Sequence, residues 1–159
     1  MKSKTVKESS LTVSYALSPV DANPAGNVHG GVIMKQIDTT AAIVGFRHAR
    51  TNVVTASLDR MDFHNPAFIG EVLILKASIN LVGKTSMEIG VRVEAENLLS
   101  GDIRHIASAY LTFVALDVGH KPREIPGLIL ETDDERRRNK EAIDRRKLRL
   151  LEKQREKIK

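Results

Sequence analysis

From Val32 to about Arg47 the apolar side chains Ile33, Ile37, Ala41 and Val44 recur at spacings of four, four and three, which aligns them as one stripe on a helix. The other positions near that stripe, Ala42 and Gly45, are small and suit a helix pressed closely against a sheet. Ahead of it, Leu11 to Leu17 alternates apolar and polar residues, the pattern of a half-buried strand, and runs into a loop at Ser18-Pro19. After Thr51-Asn52 the pattern is that of strands: Val53 to Phe63, Val72 to Val82, Met87 to Glu96 and Ile103 to Leu116. The breaks between them are His64-Asn65-Pro66, Gly83-Lys84, and Asn97 to Asp102 with its Ser100-Gly101. One strand, one long helix and then four strands cannot form a doubly wound parallel sheet. The expected architecture is α+β, a curved antiparallel meander packed around a single helix. Such a sheet leaves an edge unpaired and a face open, so dimerisation through the edge is expected.

The pattern changes after residue 120. Residues 121–130, with Pro122, Pro126 and Gly127, read as a linker between a domain at 1–120 and a tail at 131–159. In the tail, Thr132-Asp133-Asp134-Glu135 spells a capping box, and a helix is expected to about residue 155. Asp133 with Arg137, Asp134 with Arg138 and Glu141 with Arg145 stand four apart, each pair contributing only about 0.2–0.5 kcal/mol. The thin apolar stripe of Ile143, Leu150, Leu151 and Ile158 suggests packing on a neighbouring subunit.

Charge and composition narrow the function classes. The net charge of +5 is concentrated in the tail, where 12 Lys/Arg face 8 Asp/Glu, while residues 1–130 carry 13 and 12. The acidic residues interrupt the basic patch and aromatics are missing from it, which disfavours nucleic acid and membrane surfaces as partners. The absence of cysteine removes thiolate nucleophiles, disulfides and Cys-based zinc sites, so no metal is expected. The basic stretch Met1 to Glu8 lacks the apolar run of a signal peptide, and no later run reaches membrane-spanning length; a cytoplasmic location is expected.

The stretch with chemistry in it runs from Asn23 to Asp38. Backbone N–H groups at a helix start have no partner within the helix, and Gly30 and Gly31 would let a substrate carbonyl approach them, with developing negative charge stabilised by the helix dipole. Asp38 lies two turns further on the same face, where a carboxylate could activate water. By spacing alone, a plain tight turn and an exposed mid-helix aspartate explain these residues more readily.

Asn23-Pro24-Ala25-Gly26-Asn27-Val28-His29-Gly30-Gly31, followed by Lys35 and Asp38, resembles the signature of hotdog-fold acyl-CoA thioesterases. Val53 to Phe63 resembles that family's strand after the helix, and Val82-Gly83-Lys84-Thr85-Ser86 its CoA-contacting turn. The resemblance covers about residues 8–120. It implies a hotdog fold and hydrolysis of acyl-CoA, with CoA as part of substrate and product and no separate cofactor. Asp38 would be general base or nucleophile, Asn23 would place the water or thioester, Gly30 and Gly31 would donate N–H groups, and Thr55 would enter from a second subunit. His29 stands where many members have Phe and could donate to the carbonyl or line the pocket. Lys84, with Gly83, Thr85 and Ser86, would contact CoA; Arg60 and Arg104 are weaker candidates. By analogy the assembly would be a trimer of dimers.

For His48, following the helix, His64 and His120 at turns, and His105 in a strand, surface or packing roles are expected. Ser57 and Ser86 lack a nearby base or a nucleophile elbow. The alternative is a non-catalytic acyl-CoA-binding regulatory module; a hydratase on the same fold would need a different acid and base pair.

Overall fold

The computed structural model describes residues 1–158. In chain order the elements are β1 (Lys4–Thr5), β2 (Leu11–Ala16), α1 (Gly30–Ala49), β3 (Asn52–Leu58), β4 (Val72–Val82), β5 (Ser86–Glu96), β6 (Ile103–Leu116), β7 (Leu128–Ile129) and α2 (Asp133–Lys157). Among the described residues, no helix is long and apolar enough to cross a membrane.

Five strands form one antiparallel sheet in the order β2-β4-β5-β6-β3. Only β4-β5-β6 is a meander. The expected hairpin of β3 with β4 does not form, because α1 carries the chain across the inner sheet face and delivers β3 to the far edge, against β6. The predicted helical stripe is the buried one: Ile33, Ile37, Ala41 and Val44 pack into a core with Leu73, Leu75, Ile89 and Phe113 from the sheet. Gly45 allows that close approach, since a Cβ on it would lie 3.2 Å from Cγ2 of Val53 and the valine would have to shift. The strand expected over Val53 to Phe63 is shorter. It bulges between Thr55 and Ser57 and ends at Leu58, after which Asp59 N–H still donates to the Tyr110 carbonyl.

Both ends of α1 are tied down. At its C-terminus Arg50 adopts a left-handed conformation (φ 51°), and the Lys4 ammonium donates to the carbonyls of Arg47 and His48 at 3.1 and 2.7 Å. His48 lies in the last turn, fully buried, so a surface role is excluded; its Nε2 donates to the Pro126 carbonyl at 2.8 Å. Desolvation holds its pKa below the ordinary value. Residues 121–130 are thus docked rather than a free linker: Ile125 and Pro126 are buried, and β7 pairs in parallel with β1.

The capping box of α2 forms as the sequence predicts, with Glu135 N–H donating to Thr132 Oγ1 and Thr132 N–H to Glu135 Oε2. Its ion pairs differ. Arg136 pairs with Asp133, Arg137 with Asp134 and Glu141, and Arg145 leaves the helix surface for Glu88. Glu88, on the outer sheet face and 2% exposed, is gripped by Arg145 Nη2 at 2.7 Å and Arg149 Nη1 at 3.1 Å, and Arg149 also reaches Asp59 at 2.8 Å. The guanidinium of Arg145 lies 3.7 Å over the Tyr110 ring. The tail therefore docks on its own sheet through charged groups and the buried Ala142, while Ile143, Leu150, Leu151 and Ile158 remain exposed.

Candidate functional site

The loop before α1 is built to hold its N-terminus. Asp21 O accepts from His29 N–H at 2.8 Å, while Asp21 Oδ2 accepts from Ser18 N–H and Oδ1 from the Tyr15 hydroxyl. Asn23 Oδ1 accepts from the N–H groups of Ala25 and Asn27 at 3.0 and 3.1 Å. That arrangement orients the side chain: its carbonyl is spent on the loop, and its NH2 group makes no hydrogen bond among the described residues. The intervening turn needs Gly26, whose φ is +84°.

At the helix start the two glycines are not equivalent. Gly31 N–H donates to His29 Nδ1 at 2.9 Å, so His29 is the N-cap and its ring carries its hydrogen on Nε2. In this arrangement Gly31 N–H is occupied, contrary to the expectation of two open donors, whereas Gly30 N–H has no acceptor among the described residues. Gly30 and Asn23 share a cavity of about 340 Å³ with Phe63 and His64, and the Phe63 ring lies 3.7 Å from where a Gly30 Cβ would be. Phe63 was not singled out in the sequence. Only its return to the ladder as a bridge to Ala107 places it there, and no local pattern announces that. His64 stacks at 5.0 Å on His105, whose pKa is held down by burial and by Arg92.

Asp38 is exposed on α1 and accepts from Thr55 Oγ1 on β3 at 2.6 Å. Thr55 therefore joins Asp38 within one chain, which corrects its expected entry from a second subunit opposite that carboxylate. Eight residues separate Gly30 from Asp38, a rise of about 12 Å along the helix. One chain thus carries two separate clusters, Asn23 with Gly30 and Asp38 with Thr55. The same two elements carry exposed apolar side chains, Met34 and Ile43 on α1 and Val54 and Leu58 on the edge strand.

The turn expected to contact CoA is only partly available. Gly83 N–H is spent on Ser86 O, and Lys84 turns to Glu124 at 3.2 Å, while Thr85 O accepts from Ala115 N–H. Gly83, Ser86 and Arg60 line a groove of about 850 Å³ between the outer sheet face and α2. Arg60 is exposed and pairs with Asp62, whereas Arg104 is a structural residue that forms a bidentate pair with the buried Glu71 at 2.8 and 2.9 Å. The Arg104 hydrogen bonds hold the Glu71 carboxyl below the usual carboxylate range.

A curled sheet around one long helix, with glycines at the helix start and a carboxylate two turns on, is the hotdog arrangement. The thioesterase superfamily matches residues 25–101. The cytosolic acyl coenzyme A thioester hydrolase of Mus musculus is 38% identical over 143 residues, covering 89% of this chain and 38% of that protein, so the chain spans about two fifths of that relative's length. An uncharacterised acyl-CoA thioester hydrolase of Bacillus subtilis is 37% identical over 139 residues, 87% of this chain and 81% of that one. This chain belongs to the thioesterase superfamily, among the acyl-CoA thioester hydrolases.

Solved structures agree with that placement. A hexameric acyl-CoA thioesterase superposes with a TM-score of 0.92 at 35% identity, covering 96% of this chain and 97% of that one. An acyl-CoA hydrolase of Staphylococcus aureus, solved with butyryl coenzyme A and coenzyme A, gives 0.87 at 35% identity over 96% and 94%. That hydrolase has also been solved with single alanine replacements of an asparagine, an aspartate 15 residues later and a threonine 17 beyond that. Asn23, Asp38 and Thr55 have the same two spacings.

Proposed function

We propose that this protein hydrolyses the thioester of acyl-CoA to a free acid and CoA, at a site shared between two subunits. The observation that carries the reading is the Asp38–Thr55 hydrogen bond of 2.6 Å, on the same helix as the Gly30 N–H that has no acceptor among the described residues. In the reaction, Gly30 N–H and the helix dipole polarise the thioester carbonyl, and the NH2 group of Asn23 orients the carbonyl or the attacking water. Asp38, its carboxylate fixed through one oxygen by Thr55, takes the proton from water or attacks the carbonyl itself. The thiolate of CoA leaves with little help, and these groups call for no metal or separate cofactor.

The two half-sites of one chain are too far apart for one water to bridge. A two-fold dimer that brings α1 of each subunit alongside the other sets Asp38 of one against Asn23 and Gly30 of its partner. The exposed apolar residues Met34 and Ile43 of α1 and the open edge of β3 support that pairing, and the hexameric relative supports a trimer of such dimers. A cytoplasmic location is supported by the cytosolic mouse relative.

Two experiments test this. Asp38→Ala should abolish CoA release from an acyl-CoA panel while the oligomer stays folded; unchanged turnover sinks the assignment. Co-expressed Asp38→Ala and Asn23→Ala chains, each inactive alone, should recover about a quarter of wild-type activity, because half the dimers are mixed and each of those has one intact site. No recovery means the site lies within one chain. CoA binding without any hydrolysis would favour the regulatory-module alternative.

A further inference from the structure

The charged tail lies outside the residues matched by the superfamily, yet it forms one wall of the groove that contains Gly83 and Ser86. Arg146 of α2 sits directly over that turn. A Cβ built on Gly83 would come within 3.1 Å of Nη1 of Arg146 and 3.3 Å of the Ser86 hydroxyl, so the missing side chain is what lets the guanidinium reach the turn. Its neighbours on the helix are committed, Arg145 to Glu88 and Arg149 to Glu88 and Asp59, and Lys84 of the turn is drawn to Glu124. Arg146 has no ion pair among the described residues. The acids of the groove with no ion pair among the described residues, Glu152 and Glu156, stand six and ten residues further along α2, about 9 and 15 Å from it.

The groove's other end is Ala56, Ser57 and Leu58, which directly follow Thr55 on β3. Ser86 on β5 is separated from β3 by β6 alone, about 10 Å across two strand spacings. A ligand with its anionic end at Arg146 therefore has a channel towards the edge strand that carries Thr55.

We propose that Arg146, with the Ser86 hydroxyl, binds the phosphates of the nucleotide end of CoA, so that the tail helix rather than Lys84 supplies the cation at this turn. The planar guanidinium donates two parallel hydrogen bonds to phosphate, which suits it to this task better than a lysine. The inference rests on the thioesterase reading for its ligand, but it is tested by binding, which does not need hydrolysis.

Calorimetric titration with CoA, at low ionic strength, compares wild type with Arg146→Ala, Lys84→Ala and Lys140→Ala; Lys140 is an exposed tail cation that lines neither groove nor cavity. Arg146 is exposed, so its replacement should not disturb folding. Arg146→Ala should weaken CoA about tenfold, as expected for losing one charged phosphate contact. Lys84→Ala should weaken it less, and Lys140→Ala should bind as wild type. In hydrolysis assays the rise in KM for Arg146→Ala should be confined to acyl-CoA and be absent with S-acyl-pantetheine, which lacks the phosphates. An unchanged CoA affinity in Arg146→Ala, an equal loss in Lys140→Ala, an equal loss of both substrates, or no CoA binding by wild type would each overturn the proposal. Wild type that binds CoA through Arg146 yet hydrolyses no thioester would overturn only the assigned activity.

Discussion

Thr55 on the edge strand donates its hydroxyl hydrogen to Asp38 in the middle of α1 at 2.6 Å, and among the described residues this is the one hydrogen bond by which the sheet fixes that carboxylate. The second oxygen of Asp38 has no hydrogen-bond partner among the described residues. Thr55→Val keeps the shape and removes the donor, so it should lower kcat by on the order of 10²-fold through loss of carboxylate orientation. Thr55→Ser should stay within a few fold of wild type. Steady-state rates of CoA release for the two variants check this; equal rates would mean that Asp38 needs no orienting partner.

His29 caps α1 through Nδ1, so its first effect is on the helix rather than on the carbonyl. His29→Ala should lower Tm by about 2–4 °C, the cost of a lost N-cap in a chain of this size. His29→Asn should restore most of it, because asparagine is also a preferred cap. Thermal melts by circular dichroism decide it.

Two buried groups make stability depend on pH in separate windows. His48 has its folded pKa lowered below the ordinary 6.5 by desolvation, so below pH 6.5 the unfolded chain binds a proton that the folded chain resists. Stability should therefore be full above that pH and fall as pH drops towards the depressed folded value. Denaturant midpoints at pH 7.5 and 5.5 should differ for wild type, and the difference should shrink in His48→Leu.

For Glu71 the folded pKa is lowered below 4.5, first by the Arg104 hydrogen bonds. Its contribution is present above pH 4.5 and is lost as pH falls through the folded value. Glu71→Gln should be less stable at neutral pH and show a flatter acid limb between pH 5 and 3, measured by urea titration.

Glu88 and Arg145 form a buried pair whose halves are not separable. Arg145→Met leaves Glu88 covered with only Arg149 and Asn80 as partners, and should cost about 3 kcal/mol by urea unfolding. Adding Glu88→Met should recover most of that, because the uncompensated charge is gone. Recovery of nothing would place the energy in the Arg145–Tyr110 contact instead.

The parts of this fold that were legible in the sequence are those set by neighbours along the chain. The stripe of Ile33, Ile37, Ala41 and Val44, the strand from Ile103 to Leu116 and the capping box at Thr132 all depend on local periodicity or local hydrogen bonds. The pairing of β3 with β6, the docking of residues 121–130 and the destination of Arg145 are set by long-range packing, which no window of residues contains. The same division runs through the site. Asp38, Thr55 and the glycines are legible as motifs, but their grouping into two separated clusters follows from helix rise and sheet order. Phe63 is legible only as the end of the block from Val53, not as a neighbour of Gly30, and Arg146 leaves no signal, since one arginine in a basic tail is ordinary.

Because Lys4 holds the last carbonyls of α1 and Asp21 holds His29 at the other end, the helix that carries Asp38 has no loose terminus from which to fray. Beyond its open first turn, its amide hydrogens should then exchange with solvent chiefly through unfolding of the whole domain rather than by fraying from the C-terminal end. Trimming the first four residues would create a fraying end, visible as fast exchange over Arg47 to Arg50 long before any contact near Asp38 is touched.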